Sequence, residues 1–139
     1  MSTMTVSRLA DAADINQETI RFYEREGLMP KPYRSSSGYR LYDEADVERL
    51  RFIQRAKYLG FTLKETKDLL DLCEDEATSC KTLCDTARQK AEEIEARIEE
   101  LQRMSKALHH MVDDCQCGKK TIRRCSVATF LKSEEHIHG

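Results

Sequence analysis

The chain lacks tryptophan and has few aromatic residues, which make up 6% of its 139 positions. Charged residues, by contrast, make up 35%. A chain so charged and so poor in aromatics is typical of helical, extended proteins with a modest core. Its length allows one small domain with an appendage, or two very small domains.

Long apolar runs are also missing, and the longest are far too short to span a bilayer. The first four residues lack the charged and apolar regions of a signal peptide. We therefore expect a cytoplasmic protein with no membrane partner. In a reducing cytosol, the six cysteines are expected to be metal ligands or redox sensors rather than structural disulfides.

A large positive charge is absent too, since the formal net charge is −2 at pH 7. This argues against a protein that coats nucleic acid without specificity, because such proteins carry an overall basic field. A short basic surface within a neutral total is still compatible with specific DNA binding.

The chain does contain an unbroken heptad pattern. Steps of four and three residues from Cys80 reach, in order, Cys84, Ala87, Ala91, Ile94, Ile98, Leu101, Ser105, Leu108, Val112 and Cys115. Five such heptads predict a helix, roughly 50 Å long, that packs along its length against another helix. No second helix of that length is predicted, so the partner should be a second copy of the chain in a homodimer.

The orientation of the two helices decides what the cysteines can do. In an antiparallel pair, Cys80 of one subunit lies beside Cys115, Cys117 and Cys125 of its partner, twice per dimer. We predict a metal site from these four cysteines. In a parallel pair, Cys80 would face Cys80 of the partner, and the cysteines at the far end of the helix would lie roughly 50 Å away. Free cysteine also packs well in apolar surroundings, and we prefer that interpretation for Cys84, and burial for Cys73.

The N-terminal part predicts a winged helix-turn-helix. Helices are expected over 5–12 and 17–26, with Asn16 as the N-cap of the second. Residues 33–42 predict a small β-hairpin, and this is the only strand signal. Helices over 44–59 and 63–72 follow, capped by Asp43 and by a Thr62–Glu65 capping box. The predicted class is therefore mainly α: a DNA-binding domain over 1–73, a linker and dimerisation helix over 74–114, and a metal-binding loop with a C-terminal tail over 115–139.

Basic and tyrosine side chains of the second helix and hairpin are candidates for DNA contact. Arg21 has the planar fork that suits a guanine edge or a phosphate. The other candidates are suited to phosphate contacts: Tyr23, Arg25, Arg34, Tyr39 and Arg40. Each arginine alone could equally be a solvated charge on a helical bundle, but the combination with a helix-turn-helix favours DNA binding.

Three ordered segments carry a family resemblance: ETIRFYEREGLMP (18–30), SGYRLYDEADVERLRFI (37–53) and LGFTLKETKDLL (59–70). They resemble the MerR family of transcription regulators, and the similarity continues over roughly residues 5–131. The resemblance implies a homodimer joined by an antiparallel coiled coil. It also implies binding to a promoter in which the spacer between the polymerase recognition elements is too long. The effector-loaded dimer bends and underwinds this spacer, so that the two elements align for bound RNA polymerase.

The resemblance also implies roles for individual residues. Arg21 and Tyr23 fall on the family's recognition helix, and Tyr39 and Arg40 fall on its wing. Cys80 matches a position that is cysteine in sensors of divalent ions and usually serine in copper or silver sensors. The two loop cysteines of the family are matched by Cys115 and Cys125.

The chemistry of sulfur ligands supports a divalent effector. Two thiolates satisfy a monovalent soft ion, whereas Zn²⁺ takes four ligands and Hg²⁺ or Pb²⁺ takes three. Cys117 offers a spare sulfur, so a four-thiolate zinc or cadmium site is possible, and zinc, cadmium and lead are expected ahead of mercury. Basic side chains of the same loop could offset the negative charge of the thiolates or simply be solvated: Lys119, Lys120, Arg123 and Arg124. Four histidines could also be zinc ligands, namely His109, His110, His136 and His138, but the paired His109 and His110 are expected to be solvated.

The sequence thus predicts a metal-responsive transcriptional activator of metal export or resistance genes. The alternative is a redox-sensing regulator with an iron–sulfur cluster or a disulfide in the cysteine loop, although a cluster generally needs four cysteines. A coiled-coil protein that buffers metal without binding DNA is a third hypothesis. An enzyme is least expected, because no nucleophile–base set or phosphate loop is present.

Overall fold

The computed structural model describes residues 3–77, 79–115, 118 and 121–133. The chain is mainly helical and divides into two compact units, Met1–Asp85 and Thr86–Gly139. Among the described residues, no helix combines the length and the apolar character needed to cross a bilayer. The three-part domain division expected from the sequence stays a prediction.

The first two helices form the predicted helix-turn-helix. Helix α1 spans Val6–Ala13 and α2 spans Gln17–Arg25. The side chain of Asn16 accepts a hydrogen bond from the Thr19 backbone N–H at 2.8 Å, so the predicted N-cap is confirmed. Between the helices, Asp14 adopts a left-handed conformation with φ 56°, which lets the chain turn sharply from α1 into α2.

The predicted hairpin follows as a two-stranded wing. Strand β1 (Tyr33–Arg34) pairs antiparallel with β2 (Arg40–Leu41), with Tyr33 opposite Leu41. The turn places Gly38 at φ +86°, a conformation that glycine adopts without steric cost. Met4 and Tyr42 exchange backbone hydrogen bonds of 2.7 and 2.9 Å, which anchors the base of the wing to the N-terminal segment.

Two further helices complete the first unit: α3 (Glu44–Tyr58) and α4 (Leu63–Glu74). Both begin with a capping box, in which the cap side chain and the third helical residue bond each other's backbone N–H. The Thr62–Glu65 box was predicted, whereas Asp43 was predicted only as a simple cap. Its partner in the box is Asp46.

One apolar core joins these elements. Leu9 of α1, Ile20 of α2, and Leu50 and Ile53 of α3 are all completely buried, and Tyr42 at the end of the wing is 2% exposed. Burying a side chain of this size contributes about 1.5–3 kcal/mol. The core therefore fixes the orientation of α2 and the wing against α3.

Helix α5 spans Cys80–Cys115 and contains 36 residues without a break, as the heptad pattern predicted. A 3₁₀ turn (Ile122–Arg124) and a short helix, α6 (Ser126–Lys132), lie within residues 115–139, the segment expected to be a metal-binding loop with a C-terminal tail.

A row of apolar side chains on α5 is exposed to solvent. This row, called the heptad face below, comprises Ile94, Ile98, Leu101, Leu108 and Val112, each 42–54% exposed. Apolar side chains at heptad spacing on a helix surface are typical of an interface with another helix. The heptad face therefore supports the predicted pairing of two chains.

The heptad face generates a first prediction, tested by Ile98→Glu. The dimer contains the substitution twice, and each buried isoleucine contributes about 1.5–3 kcal/mol, so we expect dimer affinity to fall about 100-fold or more. Sedimentation equilibrium measures this. The control is Ala96→Glu, which adds the same carboxylate about 200° around the helix. Equal dimer affinity in both variants would contradict an interface on this face.

Candidate nucleic-acid interface and candidate metal centre

A basic cleft lies between α2 and the wing. Its volume is about 590 Å³, and it is lined by Arg21, Glu24, Arg25, Lys31, Pro32, Arg34 and Arg40. Five of these side chains are cationic and one is a carboxylate. The α2–wing cleft therefore gathers four of the six predicted DNA-contact residues on one positively charged surface, although the net charge of the chain is negative.

A carboxylate holds the wing against α2. Glu24 of α2 accepts a hydrogen bond from Arg40 Nη1 at 2.9 Å and another from the Tyr42 hydroxyl at 2.5 Å. The Glu24 side chain is only 10% exposed, so the charge on Arg40 is needed to balance it. Because α2 carries Glu24 and the wing carries Arg40, this network sets the width of the α2–wing cleft.

Tyr42 is held in its protonated, donating form. Burial is the main cause that raises its pKa to about 12, and the hydrogen bond to Glu24 together with the negative charge of that carboxylate adds to the effect. The donor is therefore retained at any physiological pH.

The remaining arginines of the α2–wing cleft are oriented by local contacts. Arg34 Nη1 donates to the Gly38 carbonyl oxygen at 2.8 Å, which supports the wing turn. Arg21 Nη1 lies 3.0 Å from a carboxylate oxygen of Glu18, one turn earlier on α2. A guanidinium has five N–H donors, so each arginine keeps donors for a further acceptor. Arg25 is exposed at the last position of α2.

The two predicted tyrosines have different environments. Tyr39 is 71% exposed in the wing turn, whereas Tyr23 is 9% exposed and belongs to the core. Burial raises the pKa of Tyr23. Tyr23 thus packs in the interior, and the phosphate contact expected for it stays a prediction. Sequence reasoning did not single out Lys31, which lines the cleft, or Tyr33, which is 81% exposed on the wing. The sequence signal that could have identified these two residues is their position on either side of Pro32.

Two thiols meet where α5 ends. Cys115 is 3% exposed, and its Sγ lies 3.3 Å from the Sγ of Cys125, the residue that precedes α6. The chain between them returns through the 3₁₀ turn, on which Arg123 and Arg124 are exposed. This pair, called the loop pair below, comprises two of the four predicted metal ligands. Cys117 lies outside the described residues, as do Lys119 and Lys120.

Two more thiols meet where α5 begins. Cys80 and Cys84 are both exposed, one helical turn apart, with their Sγ atoms 3.7 Å from each other. These two form the helix-start pair. The prediction that Cys73 is buried was wrong: it is exposed, because it lies in the last turn of α4, beyond the last core residue Leu70.

Each thiol pair supplies two sulfur atoms. Within residues 3–77, 79–115, 118 and 121–133 of one chain, no group of three or more Cys, His, Asp or Glu side chains is placed to hold a metal ion. His109 and His110 are exposed, as expected, and His110 Nε2 lies 3.4 Å from Asp114. Two thiolates are fewer than the four ligands that a structural zinc ion takes. A site with four thiolates therefore needs more sulfur ligands than either pair supplies alone.

Comparison with known families gives two matches. Residues 4–73 match the family model described as MerR HTH family regulatory protein, and residues 47–111 match the model described as MerR, DNA binding. The mercuric resistance operon regulatory protein of Bacillus cereus is 38% identical over 127 residues, covering 91% of this chain and 96% of that protein. The HTH-type transcriptional regulator ZntR of Escherichia coli K12 is 39% identical over 128 residues, covering 91% of each.

Solved structures resemble the chain over nearly its full length. The regulator PbrR691 of Ralstonia metallidurans CH34, in complex with lead(II), matches with a TM-score of 0.81 at 32% identity, covering 92% of this chain and 98% of that one. MerR of Bacillus megaterium MB1, in complex with mercury(II), matches with 0.73 at 34% identity, covering 93% and 100%. HiNmlR, a MerR family regulator bound to promoter DNA, matches with 0.60 at 25% identity, covering 85% and 94%.

The Glu24 network generates the second prediction, tested by Tyr42→Phe. Losing a hydrogen bond to a carboxylate should lower the free energy of unfolding by about 1.5–3 kcal/mol. The folded pKa is raised from 10.0 to about 12. The wild-type contribution is therefore fully present below pH 10 and lost as the pH rises through about 12.

Urea unfolding at neutral pH and at alkaline pH measures this difference. Tyr58→Phe is the control, because Tyr58 is 85% exposed. The assignment fails if the two variants have the same stability at neutral pH.

Proposed function

The chain belongs to the MerR family of transcription regulators, and from this we propose that it is a metal-responsive activator that binds promoter DNA as a homodimer. Its effector is a divalent soft or borderline metal ion, bound by cysteines from both subunits. The regulated genes encode metal export or resistance. The observation that carries the proposal is the presence of two thiol pairs, one at each end of the long helix that bears the heptad face.

The α2–wing cleft is the proposed DNA-binding surface. A recognition helix followed by a wing can enter the major groove while the wing contacts the neighbouring backbone. Arg21 on α2 is assigned to a base edge or a phosphate, and Arg25, Arg34, Tyr39 and Arg40 are assigned to the backbone. The assignment of this cleft to DNA binding is supported by its positive charge and by the similarity of the chain to a family member solved on promoter DNA.

The proposed dimer pairs two α5 helices in opposite directions through the heptad face. A straight helix of 36 residues rises about 54 Å, so thiols at its two ends could not bind one ion within the same chain. In an antiparallel pair, the helix-start pair of one chain adjoins the loop pair of the other. The dimer then has two equivalent sites, and residues 74–114 act as linker and dimerisation helix.

The donor set suits a divalent thiophilic ion. Cys80 adds a third thiolate to the loop pair, and Cys117 is a further candidate. One relative is named for mercuric resistance, and two structural neighbours were solved with lead(II) and with mercury(II). We favour zinc, cadmium and lead over mercury, and a site of four thiolates, with Cys117 as the fourth, would suit zinc or cadmium.

Coupling between metal and promoter follows from the shared site. Its ligands belong to both subunits. The ion therefore binds more tightly to the dimer geometry that brings these ligands together than to any other dimer geometry. A coupling of about 1–3 kcal/mol is comparable to the cost of bending a promoter, which is a few kcal/mol. Metal binding can thus favour a distorted promoter that bound RNA polymerase recognises.

Redox sensing by the loop pair is the second candidate function. The 3.3 Å separation of Cys115 Sγ and Cys125 Sγ favours it, since oxidation could join these thiols. Anaerobic transcription assays separate the two functions: a metal sensor responds to zinc or cadmium without an oxidant, whereas a redox sensor responds to diamide without metal.

The third prediction concerns Cys80→Ser in an in vitro transcription assay. Losing one of the shared thiolates should abolish induction by zinc, cadmium and lead, while promoter binding by the apo dimer is unchanged. Cys73→Ser is the matched control, because Cys73 is also an exposed cysteine but lies on α4. Full metal induction in Cys80→Ser would defeat the proposed site.

The fourth prediction concerns Arg25→Ala in DNA binding. The homodimer loses two phosphate contacts, one from each subunit, so binding should weaken to specific and unrelated DNA alike and the salt-dependence slope should fall by about 2. Fluorescence anisotropy at several salt concentrations measures both quantities. Arg97→Ala removes the same charge from an exposed position on α5 and should leave the slope unchanged. Identical slopes for both variants would remove Arg25 from the interface.

A further inference from the structure

We propose that Cys84 is a fourth sulfur ligand, so that each metal site consists of the helix-start pair of one chain and the loop pair of its partner. This inference rests on the proposed function, which requires Cys80 but assigns nothing to Cys84. It makes the effector site a closed four-thiolate site, of the class that holds zinc or cadmium.

The spacing of the helix-start pair matches two corners of such a site. For a Zn–S distance of about 2.3 Å, the sulfurs of a tetrahedral site lie about 3.8 Å apart. Cys80 Sγ and Cys84 Sγ are 3.7 Å apart. Residues four positions apart on a helix share a face, which allows both thiols to turn toward one ion.

The surroundings of Cys84 do not suit the apolar packing role that the heptad pattern alone suggests. Its neighbours Lys81 and Asp85 are charged and form an ion pair of 2.9 Å. Leu83, by contrast, packs against the second apolar cluster of the first unit. This part of α5 thus directs Leu83 to the interior and the two thiols outward.

The loop pair of the partner supplies the other two sulfur ligands of the proposed site. Its two sulfurs are 3.3 Å apart, somewhat closer than two corners of a tetrahedral zinc site, and Cys115 is 3% exposed, so one chain already brings these two thiols together. Four thiolates around a divalent ion carry a net charge of −2, which the exposed Arg123 and Arg124 on the 3₁₀ turn can offset.

Anaerobic alkylation of the full-length dimer, followed by mass spectrometry, tests the inference. Rates are measured for each cysteine with and without Zn²⁺, so that burial in the dimer is present in both arms. We expect zinc to slow alkylation of Cys84 about tenfold or more, together with Cys80, Cys115 and Cys125. The rate at Cys73 should not change, which provides an internal control.

The outcomes separate this inference from the proposed function. If Cys80, Cys115 and Cys125 are protected and Cys84 is not, the four-thiolate site is overturned while the metal sensor stands. Protection of Cys117 in place of Cys84 overturns it equally. If zinc protects none of these cysteines, the metal site itself is refuted.

Cobalt(II) gives a second readout that does not depend on activity. The intensity of its sulfur-to-metal charge-transfer band follows the number of thiolates, so Cys84→Ser should lower it to about three quarters of wild type. Cys117→Ser should leave the band unchanged. The reverse pattern would assign the fourth position to Cys117 and overturn the inference.

Discussion

Zinc and similar ions take three or four thiolates, whereas each thiol pair of this chain contributes two. On the proposed function, this shortage links the metal chemistry to the quaternary structure. In the proposed antiparallel dimer, the missing sulfur atoms come from the partner subunit, and the exposed heptad face is the surface through which the two helices pair. Ligand number and dimer geometry would then be a single requirement.

A single network also organises the α2–wing cleft, the proposed DNA-binding surface. Glu24 is a nearly buried carboxylate in an otherwise basic cleft, and it joins α2 to the wing through Arg40 and Tyr42. The positive charge of Arg40 thus serves the fold as well as the surface. Because the network holds the wing against α2, the proposed DNA-binding arginines would lose less conformational entropy when they bind DNA.

Much of the fold could be predicted because its signals are local. Asn16, Asp43 and Thr62 are caps that act within one helical turn, and the heptads of α5 are a pure spacing pattern. Tertiary features were harder to predict from the sequence. The hydrogen bonds of Glu24 join residues 16 and 18 positions apart, the burial of Tyr23 depends on how α2 meets the core, and the exposure of Cys73 depends on where that core ends. The heptads already implied that Cys80 and Cys84 lie one helical turn apart, whereas the approach of Cys115 Sγ to Cys125 Sγ depends on how the chain folds after α5.

The most direct test of sulfur sharing between subunits is zinc binding by a heterodimer of a Cys80→Ser chain and a Cys115→Ser chain. If each site is built from both subunits, this heterodimer keeps one intact site, whereas each parent homodimer keeps none. The account predicts that the heterodimer binds one zinc ion with wild-type affinity and that neither homodimer does. A heterodimer as defective as its parents would show that the ligands come from one chain, and the account would be wrong.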